Sequence, residues 1–93
     1  MVKTPNRLDA ERAATLALEA LAFLAAEQDV FQRFADLTGL DPASARARAG
    51  EPEFLVSVLD FLLSDEALLL DFCQGTSGDP RLVHLARHAL GGR

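Results

Sequence analysis

The sequence predicts an all-α fold, with five or six short helices in a compact bundle. Three observations lead there. No stretch alternates β-branched and aromatic residues as a strand does, and the chain contains no Ile, Tyr or Trp. Alanine and leucine, both strong helix formers, dominate in their place. Helix boundaries recur in one form, an acidic residue followed by proline, at Asp41-Pro42, Glu51-Pro52 and Asp79-Pro80. An Asp carboxylate is a good N-cap acceptor, and the proline ring suits the first helical position, where no N–H is needed. The residue before a proline is steered away from helical geometry, so each pair also ends the element before it.

The first helix is expected from Asp9 to Glu27, capped by Asp9, with Ala14, Leu18, Leu21 and Ala25 along its apolar face. A second, Asp29 to Thr38, carries Val30, Phe31, Phe34 and Leu37, and Gly39-Leu40 closes it in a Schellman-type end. A short third helix runs from Pro42 to Ala49. The fourth, Pro52 to Leu63, is apolar nearly all round, with one polar stripe of Ser57, Asp60 and Ser64. That pattern puts it at the centre of the bundle. Ser64 is expected to cap a fifth helix ending at Gly75, and a sixth spans Pro80 to Leu90. Phe23, Phe34, Phe61 and Phe72 are the expected core anchors.

With 93 residues, the chain is one domain at most. The reading is a segment 1–8 without fixed structure, a helical domain over 9–90, and a short flexible end over 91–93. Hydrophobic residues make up 49% and charged residues 25%, the balance of a globular protein rather than a disordered one. A formal charge of −5 argues against nucleic-acid and anionic-membrane surfaces, which need excess Lys and Arg. The most apolar run, Phe54 to Leu63, is half the length a membrane span requires. Residues Met1 to Arg7 form no signal peptide, and the lone Cys73 excludes a disulfide framework within the chain. These features point to the cytoplasm.

Shifting the sequence by 38 positions aligns Leu16–Ala47 with Phe54–Leu85 without a gap, with seven identities. Leu21, Phe23 and Leu24 fall on Leu59, Phe61 and Leu62. Phe34, Thr38 and Asp41-Pro42 fall on Phe72, Thr76 and Asp79-Pro80. The matched residues share roles: apolar face, aromatic anchor, helix end, acidic cap. The physical reading is two tandem three-helix units, about 9–50 and 51–90, packed with pseudo-two-fold symmetry.

The stretch Pro52-Glu53-Phe54-Leu55, Val58-Leu59-Asp60-Phe61-Leu62-Leu63, then Asp65-Glu66 with Leu69 and Phe72, resembles a known family signature. That family comprises short helical bacterial proteins, mainly alphaproteobacterial, catalogued as domain of unknown function 3572. Leu37-Thr38-Gly39-Leu40 fits its first-copy helix end, while Thr76-Ser77-Gly78 departs from its tighter Gly-Leu turn. The resemblance runs from about Ala10 to Leu90 and implies a helical fold. It carries no assigned activity and no catalytic residues.

His84 and His88, four apart on the sixth helix, can share a face and are a candidate metal pair. A site needs at least a third ligand, which the spacing does not supply. Cys73 lies in the last turn of its helix, where the dipole disfavours a thiolate, and reads as structural. No phosphate loop and no Ser-His-Asp constellation occurs, so the reading is a non-enzyme without cofactors. A carrier holding an apolar ligand inside the bundle is a further alternative.

The remaining signal is apolar excess. Thirteen of nineteen residues from Phe54 to Phe72 are apolar, more than one central helix can shelter. Between Arg48 and Arg81 there is no basic residue but seven acids. The expected interaction surface therefore centres on Leu68, Leu69 and Leu70, rimmed by Asp60, Asp65, Glu66 and Asp71. Its partner would be a basic protein surface or a second copy, offering Arg33, Arg46 or Arg48.

Overall fold

Asp9 opens the chain's first helix as expected: its Oδ1 accepts the Arg12 backbone N–H at 2.8 Å. The computed structural model describes residues 8–76 and 78–91. The expectations for 1–7 and 92–93 lie outside them; Leu8 packs against the core, and the last helix continues through Gly91. The helices are α1 (Ala10–Ala25), α2 (Gln28–Thr38), α3 (Ala45–Arg48), α4 (Pro52–Leu63), α5 (Glu66–Thr76) and α6 (Pro80–Gly91). A 3-10 turn over Pro42–Ser44 leads into α3. The fold is all-α.

Helices α1, α4 and α6 pack most extensively on one another, with α2 and α5 laid against this trio. Helix α4 is central, as its composition demands: Phe54, Leu55, Val58, Leu59, Phe61 and Leu62 are buried, while Asp60 and Ser64 are exposed and Ser57 is half-buried. Three T-shaped aromatic contacts tie the helices together, and a tilted one lies within α2. Phe34 meets Phe54 at 5.9 Å, Phe61 at 5.4 Å and Phe31 at 6.1 Å, and Phe23 meets Phe72 at 5.4 Å. Among the described residues no buried side chain is polar or charged, so the interior is held by packing alone.

Helix α1 presents a different face from the one expected. Ala13, Ala17, Ala20 and Leu24 are fully buried, whereas Leu18 is 43% exposed, Ala25 is exposed, and Ala14 and Leu21 are half-buried. An Ala-rich helix has apolar residues on most of its circumference, so periodicity alone does not choose the inner face. Packing does: three alanines let α4 and α6 approach closely, while Leu18 at the contact would hold them apart. Leu37, also expected inside, is 74% exposed, because α2 turns Phe34 and Ala35 inward. Phe23 is half-buried rather than a full anchor, and Phe54 takes that role at 2% exposure.

The end of α2 follows the expected design. Gly39 sits at φ 70°, and Leu40 donates to the Ala35 carbonyl at 3.0 Å while its side chain is buried. Gly75, by contrast, does not end α5, which continues to Thr76. The two glycines therefore respond oppositely to alanine. Gly39→Ala forces a Cβ into the left-handed region and is expected to destabilise by about 1 kcal/mol. Gly75→Ala meets open space and is expected to stabilise by roughly 0.5–1 kcal/mol. Thermal denaturation of both variants checks the signs.

The boundary before α5 also differs. Ser64 closes α4, donating its hydroxyl to the Phe61 carbonyl at 2.8 Å. The cap is Asp65, whose Oδ1 accepts the Leu68 N–H at 3.1 Å. Both residues are capping types, and only the one-residue register separates them. Asp65→Ala is expected to cost about 1–2 kcal/mol in urea denaturation, with Ser64→Ala costing clearly less.

Several helix ends lie 38 positions apart. Helices α1 and α4 end at Ala25 and Leu63, α2 and α5 span Gln28–Thr38 and Glu66–Thr76, and the turn and α6 start at Pro42 and Pro80. Local bonds repeat as well. Thr38 and Thr76 donate to the Phe34 and Phe72 carbonyls at 2.9 and 3.0 Å. Asp41 and Asp79 accept from the N–H two residues on, at 3.2 and 2.9 Å. The third elements diverge: α3 has 4 residues and α6 has 12.

Candidate functional site

Helix α5 divides the candidate surface residues into two groups. Its inner face is Leu68, Leu69, Phe72 and Cys73, with Leu68 9% and Leu69 8% exposed. This corrects the expected contact centre, because two of its three leucines belong to the core. The reason is helical spacing: Leu68 and Leu69 lie above Phe72 and Cys73 at i+4, and that face meets the bundle. Leu70 points outward at 45% exposure, among exposed Glu66, Ala67, Asp71 and Gln74.

The acidic rim divides in the same way. Asp60 accepts from Arg87 of α6 at 2.9 and 3.5 Å, which ties α4 to α6. Asp65 faces Arg33 of α2 at 3.5 Å besides capping α5. The Arg33 guanidinium also lies 5.6 Å from the centre of the Phe61 ring. Two rim carboxylates are thus committed to other parts of the chain. Glu66 and Asp71 make no ion pair among the described residues.

The arginines suggested for a second copy are partly committed too. Arg48 stacks 5.2 Å over Phe54 and reaches Glu51 at 3.3 Å, which leaves Arg46 exposed without an ion pair among the described residues. Sequence reasoning missed the Asp60–Arg87 and Arg33–Asp65 ties. Each joins residues far apart in the chain, and no local spacing announces such pairs. Each lies at the solvent-facing surface and contributes little to stability.

His84 and His88 are both exposed on α6. Among the described residues no group of three His, Cys, Asp or Glu side chains is placed to hold a metal ion. Burial, and secondarily the Asp79 charge, pushes the Cys73 thiol up, so it stays protonated at neutral pH. Hydrogen bonds from Arg81 hold the Asp79 carboxyl below its usual range.

Among the described residues, open grooves lie beside α6. One, about 430 Å³, is lined by Leu8, Leu16 and Leu82 under a rim of Glu11, Arg12, Thr15 and Glu19. Another, about 460 Å³, lies between α4 and α6 beside Val56, Arg87 and Leu90. Both lie on the outside of the bundle. Among the described residues no helix is long and apolar enough to cross a membrane.

No curated protein and no solved structure matches the chain. The sequence profile of a family described as protein of unknown function (DUF3572) matches residues 10–93, which covers every helix from α1 to α6. The chain belongs to this family.

Proposed function

We propose that the protein is a small non-enzymatic interaction module of the cytoplasm, acting through the outer face of α5. One observation carries the reading: Leu70 is 45% exposed on a face whose charged residues, Glu66 and Asp71, are both acidic and outside any described ion pair. An exposed leucine between uncompensated acids suits a basic surface with an apolar centre. The apolar contact supplies affinity, and the charges set encounter rate and partner choice. A second copy is the simplest partner, with the exposed Arg46 supplying opposite charge.

Size-exclusion chromatography with light scattering, run from low to high salt, tests this. The expected result is association that weakens as salt shortens the reach of the charges, with Leu70→Asp removing it while the fold persists. A strict monomer at every salt concentration, together with an empty pull-down from native cytoplasm, would remove the support for the reading.

A further inference from the structure

The two aromatic locks of the core are reciprocal. Phe34, in the first unit, packs edge-to-face on Phe61 of the second with centroids at 5.4 Å and planes at 68°. Phe72, in the second unit, packs edge-to-face on Phe23 of the first at 5.4 Å and 61°. A shift of 38 positions turns Phe34 into Phe72 and Phe23 into Phe61, so the two locks exchange places. Each unit's aromatic anchor is thus held by the opposite unit. The Arg33–Asp65 ion pair also crosses between the units.

The two units are joined at one place, the short link between α3 and α4. Gly50 is exposed there, and a Cβ at this position would meet nothing. The link is folded back by a single turn bond, Glu51 N–H to the Arg48 carbonyl at 2.9 Å, and by the exposed Arg48–Glu51 pair at 3.3 Å. Opening it gives up these contacts and the stacking of Arg48 on Phe54 at 5.2 Å, which also spans the link.

We infer that the interface between the units also serves a second copy of the chain: two copies open at Gly50 and exchange units, forming a swapped dimer that rebuilds both aromatic locks between chains. The partner is a second copy because the surface each unit covers, with the aromatic partners of Phe34 and Phe72, is carried by the other unit. Exchange of an identical element reuses every interior contact, so only the link and the loss of freedom on association separate the two states. The inference is a specific form of the self-association proposed above, but it needs neither Leu70 nor the acidic face.

The test compares the wild type with a Gly50→Ala/Pro52→Ala variant, which removes the glycine of the link and the proline that starts α4, the two residues that disfavour one continuous helix. A continuous helix through α3 and α4 cannot fold back on itself, so the variant favours the exchanged dimer. Its dimer-to-monomer ratio by light scattering should rise by at least roughly tenfold, with helicity by circular dichroism retained. Wild type refolded from denaturant at high concentration should also yield a dimer fraction that dilution does not promptly dissolve. When two separately labelled dimer pools are mixed, energy transfer should develop only at the rate of unfolding, since exchange requires both locks to open. The inference is overturned if the wild type refolds solely as monomer at every concentration and the helical variant remains monomeric. It is equally overturned if the dimers swap labels within the mixing time. Rapid label exchange abolished by Leu70→Asp would leave the surface reading standing and end the swapped one. A slowly exchanging dimer indifferent to Leu70→Asp would support the swapped one alone.

Discussion

Phe34→Ala is expected to destabilise the protein by about 3–5 kcal/mol, the largest loss from any single truncation in the core. Phe34 is 0% exposed and is the hub of the aromatic set, touching Phe54 at 5.9 Å, Phe61 at 5.4 Å and Phe31 at 6.1 Å. Truncating a fully buried phenylalanine costs about 3–5 kcal/mol, because the transfer free energy and the remaining cavity both count. Loss of edge-to-face pairs places this site toward the upper end of that range. A chain of 93 residues has a total stability of roughly 5–14 kcal/mol, so one substitution removes a large share of it. Urea denaturation followed by circular dichroism measures the loss directly. Phe31→Ala is the internal comparison: Phe31 is half-buried on the same helix, and its truncation should cost clearly less. Equal effects at the two positions would mean that α2 is held by its whole face rather than by one anchor.

The same residue shows why part of this fold is legible from sequence. Phe34 sits four residues before Thr38 and five before Gly39, so the chain itself marks where the aromatic ends up relative to the helix end. The caps at Asp9 and Asp41, the Gly39 stop and both ends of α4 are written in adjacent residues, and local chemistry decides them. The inner face of α1 is written elsewhere. Ala13, Ala17 and Ala20 are inside because of what α4 and α6 bring to them, and that information is not in α1. Leu68 and Leu69 follow the same logic. A run of three leucines shows that some must be buried but not which, and the phase is set by Phe72 and Cys73 one turn later.

The candidate surface was legible only as composition. The stretch between Arg48 and Arg81 is free of basic residues, and that fact alone marks it as acidic. It does not reveal that Arg33 and Arg87 reach into it from α2 and α6 to meet Asp65 and Asp60. Those arginines lower the effective charge of the rim and leave Glu66 and Asp71 to carry it. A charge run read from sequence is therefore an upper bound on the charge that a partner meets. The correction narrows the candidate surface to one helix face with Leu70 at its centre.

Leu69→Asp is expected to destabilise by about 4 kcal/mol or more, whereas Leu70→Asp should stay within roughly 1 kcal/mol of wild type. The two positions are adjacent on α5, so helix propensity and the added negative charge beside Glu66 and Asp71 are nearly the same for both. Burial is what differs, at 8% against 45% exposure. At Leu69 the introduced carboxylate enters a part of the core with no polar side chain to receive it, and burial raises its folded-state pKa. An acid whose folded pKa lies above its unfolded value binds the extra proton in the folded state. Its penalty is therefore smallest below the unfolded value of about 4 and grows as pH rises toward the raised folded one. The stability gap between wild type and Leu69→Asp should accordingly shrink on acidification, while the gap for Leu70→Asp should change little. Denaturation curves for the three proteins at neutral and acidic pH give both differences. A gap for Leu69→Asp that stayed constant across pH would show the carboxylate reaching water. In that case the inner face of α5 would be less tightly closed than the buried Leu68, Leu69, Phe72 and Cys73 indicate.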